Sequence, residues 1–330
     1  MGMLYIETNS LAPSINLACE EYFLKGRDLA EDLFMLWRDA PVVVVGRFQN
    51  TVEEINSRFA RDHHIPVVRR ISGGGAVYHD LGNLCFSFIL HDIQPKIFDK
   101  SRYIRPLADA LARLGIRVKV TARNDLMLED KKFSGNAMAL HKDRLLFHGT
   151  LLFETDLDVL EAVLSGPESG VVSKAVKSIR GSITNLKRHL YEMVDIEQFK
   201  TRLKDLLCAD IPTVEYRPSR EEWNAVQNLA RSKYETWDWN FGNNPGSKIH
   251  LSRPLMDGLL EMDLRLDRGC IQDCRIQSSS SMLPEAGELA KRLVGVRYTF
   301  EDVLNVCMGS GIHRTAGWFS AEDFAQWILI

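Results

Sequence analysis

Arg69-Arg70-Ile71-Ser72-Gly73-Gly74-Gly75-Ala76-Val77-Tyr78-His79-Asp80-Leu81-Gly82-Asn83 is the stretch from which the fold is read: three consecutive glycines follow paired arginines, and what comes after them is strand-like. Glycine lacks a Cβ, so its amides can approach an anion closely. Ala76-Val77-Tyr78, the polar turn 80–83 and Leu84-Cys85-Phe86-Ser87-Phe88-Ile89-Leu90 read as strand, turn and strand. The glycines therefore sit inside a sheet. A Walker loop would need Gly-Lys-Ser/Thr opening a helix, and a dinucleotide fingerprint would need a glycine where Tyr78 stands, so both are excluded. A glycine-rich hairpin or bulge without a ligand stays open at this point.

Outward from the loop, residues 66–71 deliver the chain into it, and 33–37 and 41–48 read as apolar strands. The run Ala40-Pro41-Val42-Val43-Val44-Val45-Gly46 is a buried central strand, far too short for a membrane span. Ile15, Ala18, Cys19, Tyr22 and Phe23 recur at helical spacing after Ser14, giving a first helix that ends near Gly26, on which at least one of Glu20 and Glu21 is expected to face solvent. A second helix is expected over 101–114, with Gly115 as its stop. Residues 117–121, 124–128, 132–139 and 145–153 read as an antiparallel meander with polar turns at 129–131 and 141–143. Asp195-Ile196-Glu197-Gln198 and Ser219-Arg220-Glu221-Glu222 resemble capping boxes that open helices to about 207 and 233.

Helices and strands that mix without strict alternation predict an α+β fold around a mixed, largely antiparallel sheet with flanking helices. The turn-rich run through Gly246 marks a domain boundary, giving a first domain over 1–246 and a smaller α+β domain over 247–330, with strands near 257–266 and 270–277 and helices near 284–293, 300–307 and 320–328.

With 330 residues, 45% of them hydrophobic and 26% charged, the chain can bury cores for two domains. Its net charge of −3 argues against bulk electrostatic attraction to nucleic acid, so no nucleic-acid partner is expected. The six cysteines are scattered through apolar runs, as buried free thiols are, and the expected setting is the reducing cytoplasm. Cys270 and Cys274 have no second pair at zinc-site spacing, and no structural metal is expected. Met1-Gly2-Met3-Leu4-Tyr5-Ile6-Glu7 carries no export or lipidation signal. A soluble monomer without a membrane partner is the expectation.

Six segments recur in an order that resembles one family. Asn16-Leu17-Ala18-Cys19-Glu20-Glu21, Gly46-Arg47-Phe48-Gln49-Asn50, 69–83, Arg123-Asn124-Asp125-Leu126, Lys132-Phe133-Ser134-Gly135 and His148-Gly149-Thr150-Leu151-Leu152 resemble the motifs of the lipoate-protein ligases. The resemblance covers essentially the whole chain, and the carboxyl-terminal segment is similar to the accessory domain of the bacterial two-domain members. It implies a catalytic domain of the biotin/lipoate ligase type, related to class II aminoacyl-tRNA synthetases. It also implies a two-step reaction. Lipoate attacks the α-phosphate of ATP to give lipoyl-AMP and pyrophosphate, and a carrier-domain lysine then takes the lipoyl group as an amide.

Carried over residue by residue, the resemblance makes Lys132 the catalytic residue, bridging the lipoate carboxyl and the α-phosphate. Arg70, Gly75, Ala76, Val77, Tyr78, Asn83, Asp125 and Lys132 bind ATP or the adenylate. Ser72, Gly73, Gly74, His148 and Lys132 bind lipoate. Mg²⁺ arrives with ATP, with Asp125 as a candidate ligand. Without the family, Lys132 reads as an exposed turn lysine like Lys131, Asn83 and Asp125 as ordinary turn and strand-end residues, and His79 and His148 as structural hydrogen-bonding residues. The implied acceptors are lipoyl carrier domains of 2-oxoacid dehydrogenase complexes and the glycine cleavage H protein.

The dithiolane and its tail call for an apolar slot, for which Trp37, Val44, Phe48 and Val77 are candidates, each of which could equally be plain core. Lys174, Lys177, Arg180, Lys187 and Arg188 lie in 171–190 without an acidic residue. That stretch is either a solvated face or a loop that closes over the adenylate or steers an acidic carrier domain. Two rival functions stay open: an octanoyl or lipoyl transferase on the same scaffold, for which Cys85 is the nearest thiol to the glycine loop, and a non-catalytic lipoate or adenylate sensor.

Overall fold

The computed structural model describes residues 2–26, 31–91, 101–121, 125–167, 170–178, 181–190, 192–209, 211–255, 258–279, 286–310 and 320–329. Arg123, Asn124 and Arg180 lie outside them. The chain forms two units, one of residues 1–47, 66–161 and 178–236, the other of 48–65, 162–177 and 237–330. Two short segments, 48–65 and 162–177, thus group with the carboxyl-terminal one.

Eleven strands of the first unit carry the argument: β1 (Met3–Ile6), β2 (Asp32–Trp37), β3 (Val42–Val45), β4 (Val67–Arg69), β5 (Val77–His79), β6 (Asn83–Leu90), β7 (Lys119–Val120), β8 (Leu126–Leu128), β9 (Lys131–Ser134), β10 (Asn136–His141) and β11 (Arg144–Leu152). A six-stranded sheet runs β10-β11-β6-β2-β1 and ends on Thr213–Glu215. Its β10, β11, β6 and β2 pair antiparallel, while β1 is parallel to β2 and to Thr213–Glu215. The sheet is mixed and largely antiparallel, as the sequence predicts. Phe34, Leu36, Phe86, Phe88 and Phe147 project from its strands into the main core, which the helices Ser101–Arg113 and Ile196–Ala209 help to close. Gly115, with φ +85°, ends the first of these helices in the left-handed region that glycine enters without a Cβ penalty. Asp195 and Gln198 cap the second reciprocally, each backbone amide donating to the other's side chain.

A three-stranded sheet, β4-β3-β5, holds the glycine loop: β3 is parallel to β4 and antiparallel to β5, so 70–76 crosses over the end of β3. The expected strand 41–48 stops at Val45, because Gly46 and Arg47 turn to meet the loop. The expected strand 132–139 is broken at Gly135. There the chain leaves the sheet β7-β8-β9 and enters the six-stranded one, so the expected meander is divided between two sheets.

Helix α1 (Pro13–Glu21) runs on into a π-helical turn, Tyr22–Gly26. Both of its glutamates are buried, correcting the expectation that one faces solvent, because α1 is covered on nearly every side. Glu21 accepts from Lys233 Nζ (2.6 Å), Tyr234 Oη (2.6 Å) and Lys25 Nζ (2.9 Å). Burial alone would raise its pKa, yet the bonds from Lys233, Tyr234 and Lys25 outweigh it and hold the carboxyl below the usual glutamate value. A depressed folded pKa means that this stabilisation is present above the unfolded pKa of about 4.3 and is lost as pH falls through the folded value. Glu21→Ala should cost about 3 kcal/mol, since the half-buried ammonium of Lys233 and the buried hydroxyl of Tyr234 lose the carboxylate they donate to. Urea unfolding at pH 7 and pH 4 checks this: the gap between wild type and variant should shrink at the lower pH.

The second unit contains a four-stranded antiparallel sheet in the order Val171–Ser173, Ser247–Leu255, Gly258–Asp267, Cys270–Ser278. The helices Ala286–Leu293, Phe300–Ser310 and Ala321–Ile328 pack their apolar sides into its core with Leu260, Met262 and Leu264. Ser247–Leu255, a strand absent from the sequence reading, alternates buried Ile249 and Leu251 with exposed Lys248, His250 and Ser252. Among the described residues, no helix is long and apolar enough to cross a membrane.

Candidate active site

The glycine loop is shaped from inside by Arg70. Its Nε donates to Ser72 Oγ (3.0 Å), Nη1 to Val44 O (3.0 Å), and Nη2 to Gly73 O and Gly75 O (both 2.7 Å). Four of the five guanidinium donors are thus spent on the loop and on β3. Burial brings the pKa of Arg70 down to about 10, leaving it a cation at neutral pH. Arg69 is wholly buried and donates to Gly46 O (2.9 Å). Glycine is required on both sides of this contact: a Cβ on Gly46 would lie 2.1 Å from Gly74 O, and Gly74 itself has φ +92°. The paired arginines hold the loop's carbonyls, and so fix which way its amides point.

From Ser72 a buried polar chain runs into the core. Ser72 Oγ meets His148 Nε2 at 2.6 Å, and His148 Nδ1 meets Glu20 Oε1 at 2.8 Å. Glu20 Oε1 also accepts from Ser87 Oγ (2.5 Å), which in turn accepts from Trp37 Nε1 (2.8 Å). Ser72 Oγ accepts from Arg70 Nε, and the two ring nitrogens of His148 bridge that hydroxyl to Glu20. The chain pins the glycine loop to β11. Glu20 went unassigned in the sequence reading, and its buried place opposite His148 has no local signature.

Lys132 approaches the same strand from the other side of Gly135. Its backbone is clamped between Ser182 O (2.8 Å) and Thr184 N (3.0 Å). Its ammonium lies 2.8 Å from Asp125 Oδ1, with both side chains partly exposed. A Cβ on Gly135 would sit 3.2 Å from both Cε and Nζ of Lys132, so the glycine makes room for the lysine to fold across it. Gly135 O accepts from Thr150 N (3.1 Å), and Thr150 follows His148 by two residues on the same face of β11. The loop anchor and the lysine's seat are thus separated by roughly 7 Å along one strand.

The remaining sequence candidates scatter around this corner. Gly75 and Ala76 face Ser178, whose Oγ accepts from Ala76 N at 2.8 Å. Tyr78 is buried in β5, its phenol pushed up to about 12 by burial and then by Asp80 and Asp156. Val77 is half-buried beside it. Asn83 is fully buried and donates from Nδ2 to Cys85 Sγ (3.2 Å), while its Oδ1 is buried without a hydrogen-bond partner. His79 bonds Asp39 (2.8 Å) with Cys85 Sγ against its ring at 3.6 Å. Trp37 and Val44 are buried in the first unit, whereas Phe48 is exposed and belongs to the second. Among the described residues, no three His, Cys, Asp or Glu side chains converge as a metal-holding group.

An anion-compatible glycine loop and a lysine held by an aspartate, both attached to one strand, suit chemistry in which a carboxylate is brought against a phosphate. Comparison with known proteins gives the same direction. Residues 12–207 match the family described as lipoyl protein ligase A/B catalytic domain, and 244–328 match the bacterial lipoate protein ligase C-terminus. Lipoate-protein ligase LplJ of Bacillus subtilis (strain 168) is 33% identical over 330 residues, covering 99% of this chain and all of that one. A crystal structure of lipoate-protein ligase A bound with ATP is 27% identical, with TM-score 0.60, over 72% of this chain and 97% of that one. A bipartite lipoate protein ligase from Thermoplasma acidophilum, studied with its E2 lipoyl domain, is 26% identical, with TM-score 0.61, over 72% and 95%.

Proposed function

The chain belongs to the lipoate-protein ligase family, and on that premise we propose that it activates lipoate with ATP and transfers the lipoyl group to a lysine of a lipoyl carrier domain. The carrying observation is that β11 holds both parts two residues apart: the glycine loop is anchored on His148, and Gly135, over which the Lys132 ammonium folds, is bonded to Thr150. In the first step a lipoate carboxylate oxygen attacks the α-phosphorus. An O–P bond forms, the bond to the β-phosphate breaks, and pyrophosphate leaves. Lys132 bridges the two anions, offsetting their repulsion and stabilising charge at the pentacoordinate phosphorus.

In the second step the carrier's neutral lysine amine attacks the acyl carbon. The C–N bond forms, the C–O bond to AMP breaks, and the amine gives up a proton. Lys132, still at the carbonyl, stabilises the tetrahedral oxyanion. Gly75, Ala76, Val77 and Tyr78 hold the nucleotide side, with Asn83 in support, and Arg70 acts by fixing the loop's amides toward the phosphate. Ser72, Gly73, Gly74 and His148 hold the lipoyl side. Asp125 orients Lys132 and is the candidate contact for Mg²⁺ carried by ATP. The acceptors are carrier domains of 2-oxoacid dehydrogenases and the glycine cleavage H protein, reached by a monomer in the cytoplasm.

Incubation with ATP, Mg²⁺, lipoate and a lipoyl domain, read by intact mass, tests the assignment: the domain should gain one lipoyl group, and only when ATP is present. A thioester route through Cys85 is disfavoured, because burial, then Asp39 and Glu20, push its thiol well above the ordinary cysteine range. Cys85→Ser should therefore keep at least half of the wild-type transfer rate. Lipoate-dependent pyrophosphate release lost in Lys132→Ala and kept in Cys85→Ser is the result expected of the ligase; transfer that needs no ATP and is abolished in Cys85→Ser would favour the transferase.

A further inference from the structure

The direction of the glycine loop's amides follows from Arg70. Gly73 O and Gly75 O both turn inward to its Nη2, at 2.7 Å each. In a trans peptide the N–H points opposite to the C=O, so Gly74 N–H and Ala76 N–H turn outward, away from the guanidinium. One of these outward amides is already engaged. Ala76 N donates to Ser178 Oγ at 2.8 Å, a distance that an amide also keeps to a phosphoryl oxygen. Ser178 is packed onto the glycine before it: a Cβ on Gly75 would lie 2.9 Å from Ser178 Oγ and 3.2 Å from its Cα and Cβ. The outer side of the Gly75–Ala76 peptide is thus filled by a side chain of the protein itself.

The stretch that carries this hydroxyl is tethered close by. Lys132 N donates to Ser182 O (2.8 Å) and Thr184 N to Lys132 O (3.0 Å), which fastens 182–184 along β9. Four residues of chain reach at most about 14 Å, so Ser178 stays near Ala76 N whether or not it is bonded there. A phosphoryl oxygen is charged and makes the stronger bond at the same amide, so it wins the exchange against a neutral hydroxyl. We infer that Ser178 is the resident occupant of the loop's anion seat: its hydroxyl stands where a phosphoryl oxygen of the nucleotide is received, holds Ala76 N–H in the binding direction, and leaves the amide when the nucleotide enters. This rests on the placing of Ala76 on the nucleotide side in the reading above. The exchange weakens nucleotide binding by what the hydroxyl bond is worth, a factor of about 2–12. It also helps AMP to leave after transfer, because the replacement is at hand.

Calorimetric titration with AMP compares wild type with Ser178→Ala and Ser178→Gly. Both variants should bind AMP about threefold or more tightly than wild type, the gain expected when one competing neutral hydrogen bond is removed. Affinity for adenosine, which brings no phosphate to the seat, should stay within about 1.5-fold, since the competing bond is not displaced by it. Without ligand, deuterium exchange at the Ala76 amide should be faster in both variants than in wild type. At saturating AMP it should be equally slow in all three. Unchanged or weaker AMP binding in both variants overturns the proposal, as does an equal gain for adenosine or an Ala76 amide that exchanges at the wild-type rate in the free variants. Neither measurement needs turnover. A wild type that binds AMP but makes no lipoyl-AMP from lipoate and ATP sinks the ligase reading, while tighter AMP binding by the variants would still uphold the role of Ser178.

Discussion

Lys132→Ala should lower lipoate-dependent ATP–pyrophosphate exchange by about 10²–10³-fold, the range seen when a preorganised donor to a developing anion is removed. The variant should fold normally. The side chain is partly exposed and its visible partner is Asp125, so the loss of one semi-exposed ion pair costs at most about 1 kcal/mol. Exchange and thermal melting on the same preparation separate chemistry from stability. Lys132→Arg should rescue little, because the seat over Gly135, with 3.2 Å to a notional Cβ, is cut for a slim stem and a point charge rather than a planar fork. Retention of more than a tenth of wild-type exchange by the alanine variant would remove Lys132 from the chemistry.

Arg70→Ala acts by another route and should be harmful to fold and activity alike. It leaves the carbonyls of Val44, Gly73 and Gly75 without the buried donor that now holds them, and takes the donor from Ser72. Orphaned buried acceptors cost about 1–3 kcal/mol each before relaxation, so a loss of about 3 kcal/mol or more is expected, with exchange abolished even at temperatures where the variant remains folded. Arg70→Lys should not restore either property, since one ammonium cannot span four acceptors on three sides. Urea unfolding and exchange measured on both variants decide the point: a lysine variant equal to wild type in both would show that the loop is held by something else.

The contrast between these residues shows what a sequence can disclose. The glycine loop was legible as backbone inside a sheet because Val77, Tyr78 and the run 84–90 carry period-two and β-branched or aromatic signals, which are local. The role of Arg70 was not. Its place in the motif suggests a hand held out to phosphate, whereas its side chain folds inward to four acceptors whose positions depend on β3 and on the loop's own turns. Glu20 illustrates the same limit more sharply. Helical spacing makes it one of two adjacent glutamates with no distinguishing context, and its burial follows from His148 and Ser87, which lie 128 and 67 residues away. Gly135 reads as an interruption in a strand, but that it passes the chain from one sheet to another depends on Thr150. The strand Ser247–Leu255 is different: its alternation is written in the sequence and was obscured by the adjoining turn residues and by Pro254.

The parallel pairing of β1 with both Asp32–Trp37 and Thr213–Glu215 has a consequence for biosynthesis. One side of β1 is satisfied about thirty residues further along the chain, while Met3, Leu4 and Tyr5 wait for Thr213, Val214 and Glu215. Contacts of such long sequence separation form late, and an unpaired strand edge is the part of a nascent chain most open to misassociation. On the ribosome, the antiparallel strands that carry the reacting corner are complete once residue 152 has emerged, yet the amino-terminal strand stays half-clothed for about sixty residues more, or several seconds at ordinary elongation rates. A chaperone attending this protein during synthesis would meet it at residues 3–6, far along the chain from the site it serves.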